Sequence, residues 1–459
     1  MKLTLEYVDI KDIQFADATK VENGTLYINA DELKAQILQD PFIKDVNLDI
    51  CRPGENVRVI NIVDAIEPRV KVDNNANWCG ILSPFDEFTG RGTSRCLKGI
   101  SILILDSNHV YPGGRFGTVD MCGPRAELSP YAKMCNLAIE CIKADDDNIS
   151  HWDFSTSIRK ACYAAGVYLA KAALSVTPDR QEILDNETVN PDLPNVGYYQ
   201  QCYAAQYQFE NVPEPIYYGF TIPDSFPLLI QPQEVIDGAI AYGYGYHQAE
   251  TYAQQNHSII MGLMRRHGKD LNFRGMMIGT TNTDDHRRRL ASMMAANTFK
   301  DVLHCDGVIL TKAYGGASHV CEGSVASACE KRGIMTVPTM QALNEHTNLS
   351  NEMLFDDQNL QSIVHTGMHF QHYDGPKVDK VIGHNPKEFP NDIPKYIILG
   401  HEPEPGEKIP DFPADLYIPS LVTSPGAPQS IYGPNTDYSV TIFGFTSQIG
   451  NSYVRGMDY

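Results

Sequence analysis

His247 and Glu250 stand three residues apart, where an apolar run, GAIAYGY, gives way to a helical pattern. At a helix start that spacing puts both on one face, as an acid–base pair or as two ligands of a metal ion. A helix-start histidine beside a solvated glutamate would have the same spacing and no chemistry. If the helix runs unbroken from His247 to His267, His257 lies roughly 15 Å along it and cannot share one ion with His247.

TKAYGGASHVCEGS follows a strand and opens a helix, and its glycines, Gly315 among them, could let backbone N–H groups reach an anion. His319 and Cys321 follow, and a thiol near a helix N-terminus could have a depressed pKa. A buried cysteine in a turn that needs glycine fits the same stretch. VHTGMHFQHYD gathers His365, His369 and His372, with Asp374 beside them; imidazoles in that number could hold zinc or iron, although histidine is also common in ordinary loops. Tyr242, Tyr244 and Tyr246 alternate along a strand and so share a face. Their rings could cage a quaternary or protonated amine, or simply pack in a core. Arg287, Arg288 and Arg289 could grip a carboxylate, or form a solvated helix face pairing with Asp284 and Asp285.

These residues need elements to hold them. The chain has 459 residues, 42% hydrophobic and 20% charged, which is ordinary for a soluble globular protein and long enough for two or three domains. A net charge of −20 argues against nucleic-acid and anionic-membrane surfaces. MKLTLEYVDIKD reads as an edge strand and not a secretory signal, and no apolar run is long enough to cross a bilayer, so a cytoplasmic protein is expected. Eleven scattered cysteines without a CxxC pair read as reduced, mostly buried thiols.

The expected fold class is α/β. Residues 1–150 form a β-rich domain, with a hairpin at Asn23-Gly24 and CLKGISILILD as a strand buried on both faces. Residues 151–193 hold an amphipathic helix over about Ser155–Ser175, capped by Asp153 or Ser155, and then a polar linker, TPDRQEILDNETVNPDLPN. Residues 194–395 alternate strands and helices as a doubly wound, mainly parallel, Rossmann-like domain; 396–459 form a loop-rich extension. In such a sheet the ligand sits beyond the carboxyl ends of the strands. The loops after Ala241, Thr280, Thr311 and Met340 should therefore share one edge, with Thr281 at it.

KDIQFADATKVENGTLYINADEL, RPGENVRVINIVDAIEPRVKV, VDMCGPRAELSPYAK, PQEVIDGAI, MRRHGKDLNFRGMMIGTTN, CDGVIL and VDKVIGH follow one another in a telling order. Through them the chain resembles the proprotein subunit of component B of the glycine/sarcosine/betaine reductases and, more distantly, the D-proline reductase proprotein. The resemblance implies a subunit working with a second, component B-type chain on a small amine, in an oligomer, with reductive C–N cleavage as the outcome. It also implies self-cleavage before a cysteine that becomes a pyruvoyl group. The place this resemblance gives for that step is Tyr244-Gly245. An acyl shift and elimination need a heteroatom on Cβ, which neither residue has, so no pyruvoyl group is expected at Gly245. Thr251, Ser258, Thr280 and Thr281 carry the needed heteroatom but lie away from that place. The alternatives are a metal-dependent enzyme using the clustered histidines, and a non-catalytic structural subunit.

Overall fold

The computed structural model describes residues 1–72, 80, 82, 89–106, 117–202, 216–221, 226–241, 250–282, 284–312, 317–342, 357–368 and 372–383, with short pieces at 416–417, 429–430, 436–438 and 442–444. It is a mixed α/β protein built on several sheets.

The first half follows its hydrophobic patterning. Asn23 and Gly24 take positive φ (51° and 73°) and close the hairpin between Lys20–Glu22 and Thr25–Ile28. Lys2–Asp9 is not an edge strand. It lies between Gly92–Lys98, to which it runs parallel, and Arg180–Asp185, to which it runs antiparallel. The stretch expected as a linker thus contributes a sheet strand.

CLKGISILILD divides at Gly99. Gly92–Lys98 belongs to a four-stranded sheet and Ile100–Asp106 to a six-stranded one. Gly99 has φ +89°, and a Cβ there would sit 2.5 Å from the Ile10 carbonyl oxygen, so only glycine makes this corner. The second part is buried on both faces as expected. Ile100, Ile102 and Ile104 pack on one side with the His151–Lys171 helix, while Leu103 and Leu105 pack on the other. That helix starts earlier than its apolar period suggests, because Ser150 caps it by accepting from the Asp153 N–H.

In the second half one sheet runs in the order Leu228–Ile230, Asn272–Thr280, Asn195–Cys202, Gly307–Lys312, Met335–Ala342, Val364–Met368. All its neighbours are parallel except Leu228–Ile230. Alternation along Asn195–Cys202 sends Tyr198 into a core with the Ser258–Arg266 helix, and Tyr199 into a separate core with the Asp285–Asn297 and Ala317–Glu330 helices. The strand ending at Ala241 is not part of this sheet; Ile240–Ala241 pairs with Ile216–Tyr217 in a small sheet of its own. The helix expected over 247–267 is broken as well: Thr251–Gln255 and Ser258–Arg266 are separated by Asn256 and His257, and His257 caps the second helix.

Buried charges bind the halves together. Arg69 pairs with Glu67 and donates to the carbonyls of Ile236 and Gln255, while Lys98 reaches Glu67 and Asn256. Asp237 pairs with Lys71 and accepts from Ser94 and the Gly90 amide. Removing one partner of such a pair costs about 3–5 kcal/mol.

Candidate functional site

The sheet is apolar along its length and turns polar at the carboxyl ends of its central strands. On one face the Tyr198 hydroxyl meets Thr311 Oγ1 at 2.6 Å and His257 Nε2 at 3.0 Å. Burial pushes His257 down to about 3, so the ring is neutral and occupied with structure. Beyond it, Gln200 Nε2 donates to Gln254 Oε1 at 3.1 Å. On the other face Gln201 Nε2 donates to Thr281 Oγ1 at 3.1 Å, and Thr281 Oγ1 contacts Ser318 Oγ at 3.0 Å.

A buried carboxylate pair lies at the start of the Thr251–Gln255 helix. Asp64 takes the Thr251 amide at 2.9 Å and the Thr251 hydroxyl at 2.7 Å, and the Tyr163 hydroxyl donates to it as well. Its pKa is nonetheless raised, since burial outweighs the Arg159 charge and these hydrogen bonds. Glu250 accepts at Oε1 from the Tyr131 hydroxyl at 2.8 Å, and Oε2 has no partner. Burial, with a smaller contribution from Asp64, brings Glu250 up to about 7, where a carboxyl can give or take a proton at neutral pH.

The third group lies on the Ala317–Glu330 helix. Glu322 is completely buried, neither of its oxygens makes a well-formed hydrogen bond, and burial lifts it to about 8 against the charge of Lys312 and a weaker approach by the Thr339 amide. His319 is also buried, with Nδ1 unpartnered, and burial and Lys312 hold it near 3. Cys321 donates to the Asn282 carbonyl at 3.3 Å, and its pKa is raised, not lowered: burial outweighs that hydrogen bond and the Arg288 charge. Of the two readings the sequence allowed, the buried cysteine fits and the activated thiol does not.

The structure thus brings Thr281, His319 and Cys321 to the strand ends and places Glu250 beside the Asp64 pair. Tyr242, Tyr244, Gly245, Tyr246, His247, Gly315 and His369 lie outside the described residues, as do the side chains of His365 and His372. Among the described residues no three His, Cys, Asp or Glu side chains form a metal-binding group. Arg288 and Arg289 pair with Asp285, and Asp284 caps their helix, so the helix-face reading holds for this cluster. No helix among the described residues is long and apolar enough to cross a membrane.

Sequence reasoning missed Gln200, Gln201, Glu322, Asp64 and Tyr131. The two glutamines were visible as a polar pair closing an otherwise buried strand, NVGYYQQC, and Glu322 as the one acid within VCEGSVASAC. Asp64 and Tyr131 carry no such signal, because chain separation hides their approach to Glu250 and Thr251.

The family model for glycine/sarcosine/betaine reductase component B subunits matches residues 1–392. The glycine reductase complex component B subunits alpha and beta of Acetoanaerobium sticklandii are 33% identical over 398 residues, covering 84% of this chain and 90% of the relative. From Peptoclostridium acidaminophilum, the sarcosine reductase complex component B subunit alpha is 28% identical, covering 83% of this chain and 89% of its own. The betaine reductase counterpart from that organism is 25% identical, over 83% and 88%. No solved structure matches the chain significantly.

Proposed function

The chain belongs to the family of glycine/sarcosine/betaine reductase component B subunits, and from that premise we propose that it is a cytoplasmic subunit of a reductase-like complex, paired with a second component B-type chain and handling a small amine or amino acid. The relatives are named as subunits of glycine, sarcosine and betaine reductase complexes, which supports a substrate of that class. The second half works as a doubly wound domain. Its strand order places Asn272–Thr280 and Gly307–Lys312 on opposite sides of Asn195–Cys202, so the chain reverses direction across the sheet at that strand, and ligands of such sheets bind there.

One observation carries the reading. Gln200, Gln201, Gln254, His319 and Glu322 are all buried near these ends, and each keeps a polar atom without a partner. Buried polar groups are nearly always hydrogen-bonded, so a concentration of orphans at one sheet edge marks a place built for a ligand.

A pyruvoyl group does not fit residue 245, since glycine has no Cβ to carry the leaving heteroatom. What the chain's own residues supply is orientation from the glutamines and Thr281, and a titratable proton on Glu250. The test is calorimetric titration of the full chain, alone and with a component B partner subunit, using glycine, sarcosine and betaine. Saturable binding of at least one, lost in the Gln200→Leu/Gln201→Leu double variant, supports the proposal; no binding of any contradicts it.

A further inference from the structure

The leftover atoms on the Ala317–Glu330 side of the sheet have one chemical character. Gln201 spends its amide N–H₂ on Thr281, leaving Oε1 unpartnered. Thr281 in turn touches Ser318, and Ser318 and Glu322 are four apart on one helix and so share a face. Neither Glu322 oxygen makes a well-formed hydrogen bond, and His319 Nδ1, one turn before, is unpartnered. Across the strand Gln200 Oε1 is unpartnered too. A glutamine carbonyl and a carboxylate accept hydrogen bonds, and a buried acceptor left alone costs about 1–3 kcal/mol. Whatever completes this edge must bring hydrogen-bond donors, and an ammonium brings N–H donors together with a charge that favours the ionised Glu322.

We infer that Gln201 and Glu322 determine specificity at this edge, selecting an ammonium group that carries N–H bonds, a primary amine before a secondary one, and rejecting a quaternary amine. The inference rests on the proposed function and sharpens it. A quaternary nitrogen offers only C–H groups, which would leave the Glu322 and Gln201 acceptors as unpaired as before. It suits an aromatic cage, and this edge is lined by acceptors instead. Lys312 lies on the same face, opposite Gln201 in the strand register, and its charge acts on Glu322.

The proton balance follows. Glu322 feels Lys312 from the neighbouring strand and the Thr339 amide, Tyr199 lies on its side of the sheet and Tyr198 on the other, and His319 is on its own helix. At pH 7 its carboxyl is mostly protonated, being raised to about 8. An arriving ammonium keeps its own N–H protons and stabilises the carboxylate, so the carboxyl proton leaves to solvent. Binding near pH 7 therefore releases close to one proton.

Isothermal titration of the full-length protein with glycine, sarcosine, N,N-dimethylglycine and betaine, in buffers of different ionisation enthalpy, tests this. Each N–H removed should weaken binding about tenfold. The Glu322→Gln variant should weaken glycine about tenfold or more, leave betaine unchanged, and abolish proton release. The series and the proton count on the unaltered protein stand even if that variant folds poorly. Betaine bound as tightly as glycine, or glycine bound without proton release, overturns the inference and leaves the proposed function standing. No binding by any member removes both.

Discussion

Replacing Glu250 by glutamine tests the buried carboxyl pair through stability alone. Glutamine keeps an oxygen for the Tyr131 hydroxyl and cannot ionise. In the wild type the Glu250 pKa rises on folding from 4.5 to about 7, which at ~1.4 kcal/mol per pKa unit is worth about 3 kcal/mol. The sign is set by the raised folded value. Below the unfolded pKa the carboxyl is protonated in both states and its contribution is fully present. Between 4.5 and about 7 the unfolded chain ionises while the folded one does not, so stability drains away. Above that window the loss is complete. Urea unfolding of both proteins between pH 4.5 and 9 should show Glu250→Gln gaining on the wild type across the window, by about 3 kcal/mol in all, with a plateau above pH 8. A difference that stays constant with pH would refute the claim that folding holds a proton on Glu250.

Three further outcomes follow from the same geometry. Tyr131→Phe removes the hydrogen bond that favours the charged Glu250, so its pKa should climb further, with a destabilisation of about 1–3 kcal/mol that is larger at pH 8 than at pH 5, read by the same unfolding titration. Alkylation of the native protein followed by peptide mapping should modify half-exposed Cys122 well before Cys321, whose thiol is buried and raised; faster reaction at Cys321 would restore the activated-thiol reading. Gly99→Ala puts a methyl group against the Ile10 carbonyl at a positive φ and should cost about 2 kcal/mol or more in chemical denaturation; an unchanged midpoint would contradict the two-sheet corner.

Local chemistry was legible in the sequence wherever it determines structure by itself. The Asn23-Gly24 hairpin, the helix end at Gly333 and the strands either side of the Ala317–Glu330 helix all follow from turn residues and periodicity. What depends on distant partners was not legible. Arg180–Asp185 is polar enough to read as a linker, yet it finds the edge of Lys2–Asp9. Ile240–Ala241 has the apolar character of a central strand, yet it pairs with Ile216–Tyr217, and no pattern in the sequence marks that pairing. The helix break at Asn256 and His257 hides because both residues also occur inside helices; here Asn256 reaches Glu67 and His257 reaches Tyr198, contacts from opposite halves of the chain. At the site, the sheet edge and Thr281 could be foreseen from the strand–helix alternation. For Cys321 the sequence allowed both an activated and a buried thiol, since a helix start argues for a lowered pKa, and the packing decides for burial.

The central claim, a component B subunit that forms no pyruvoyl group at Tyr244-Gly245, is tested most directly by the intact mass of the denatured, purified protein. The account predicts a single species near 51.1 kDa. Two fragments divided within residues 242–249, the C-terminal one reacting with carbonyl reagents, would contradict it.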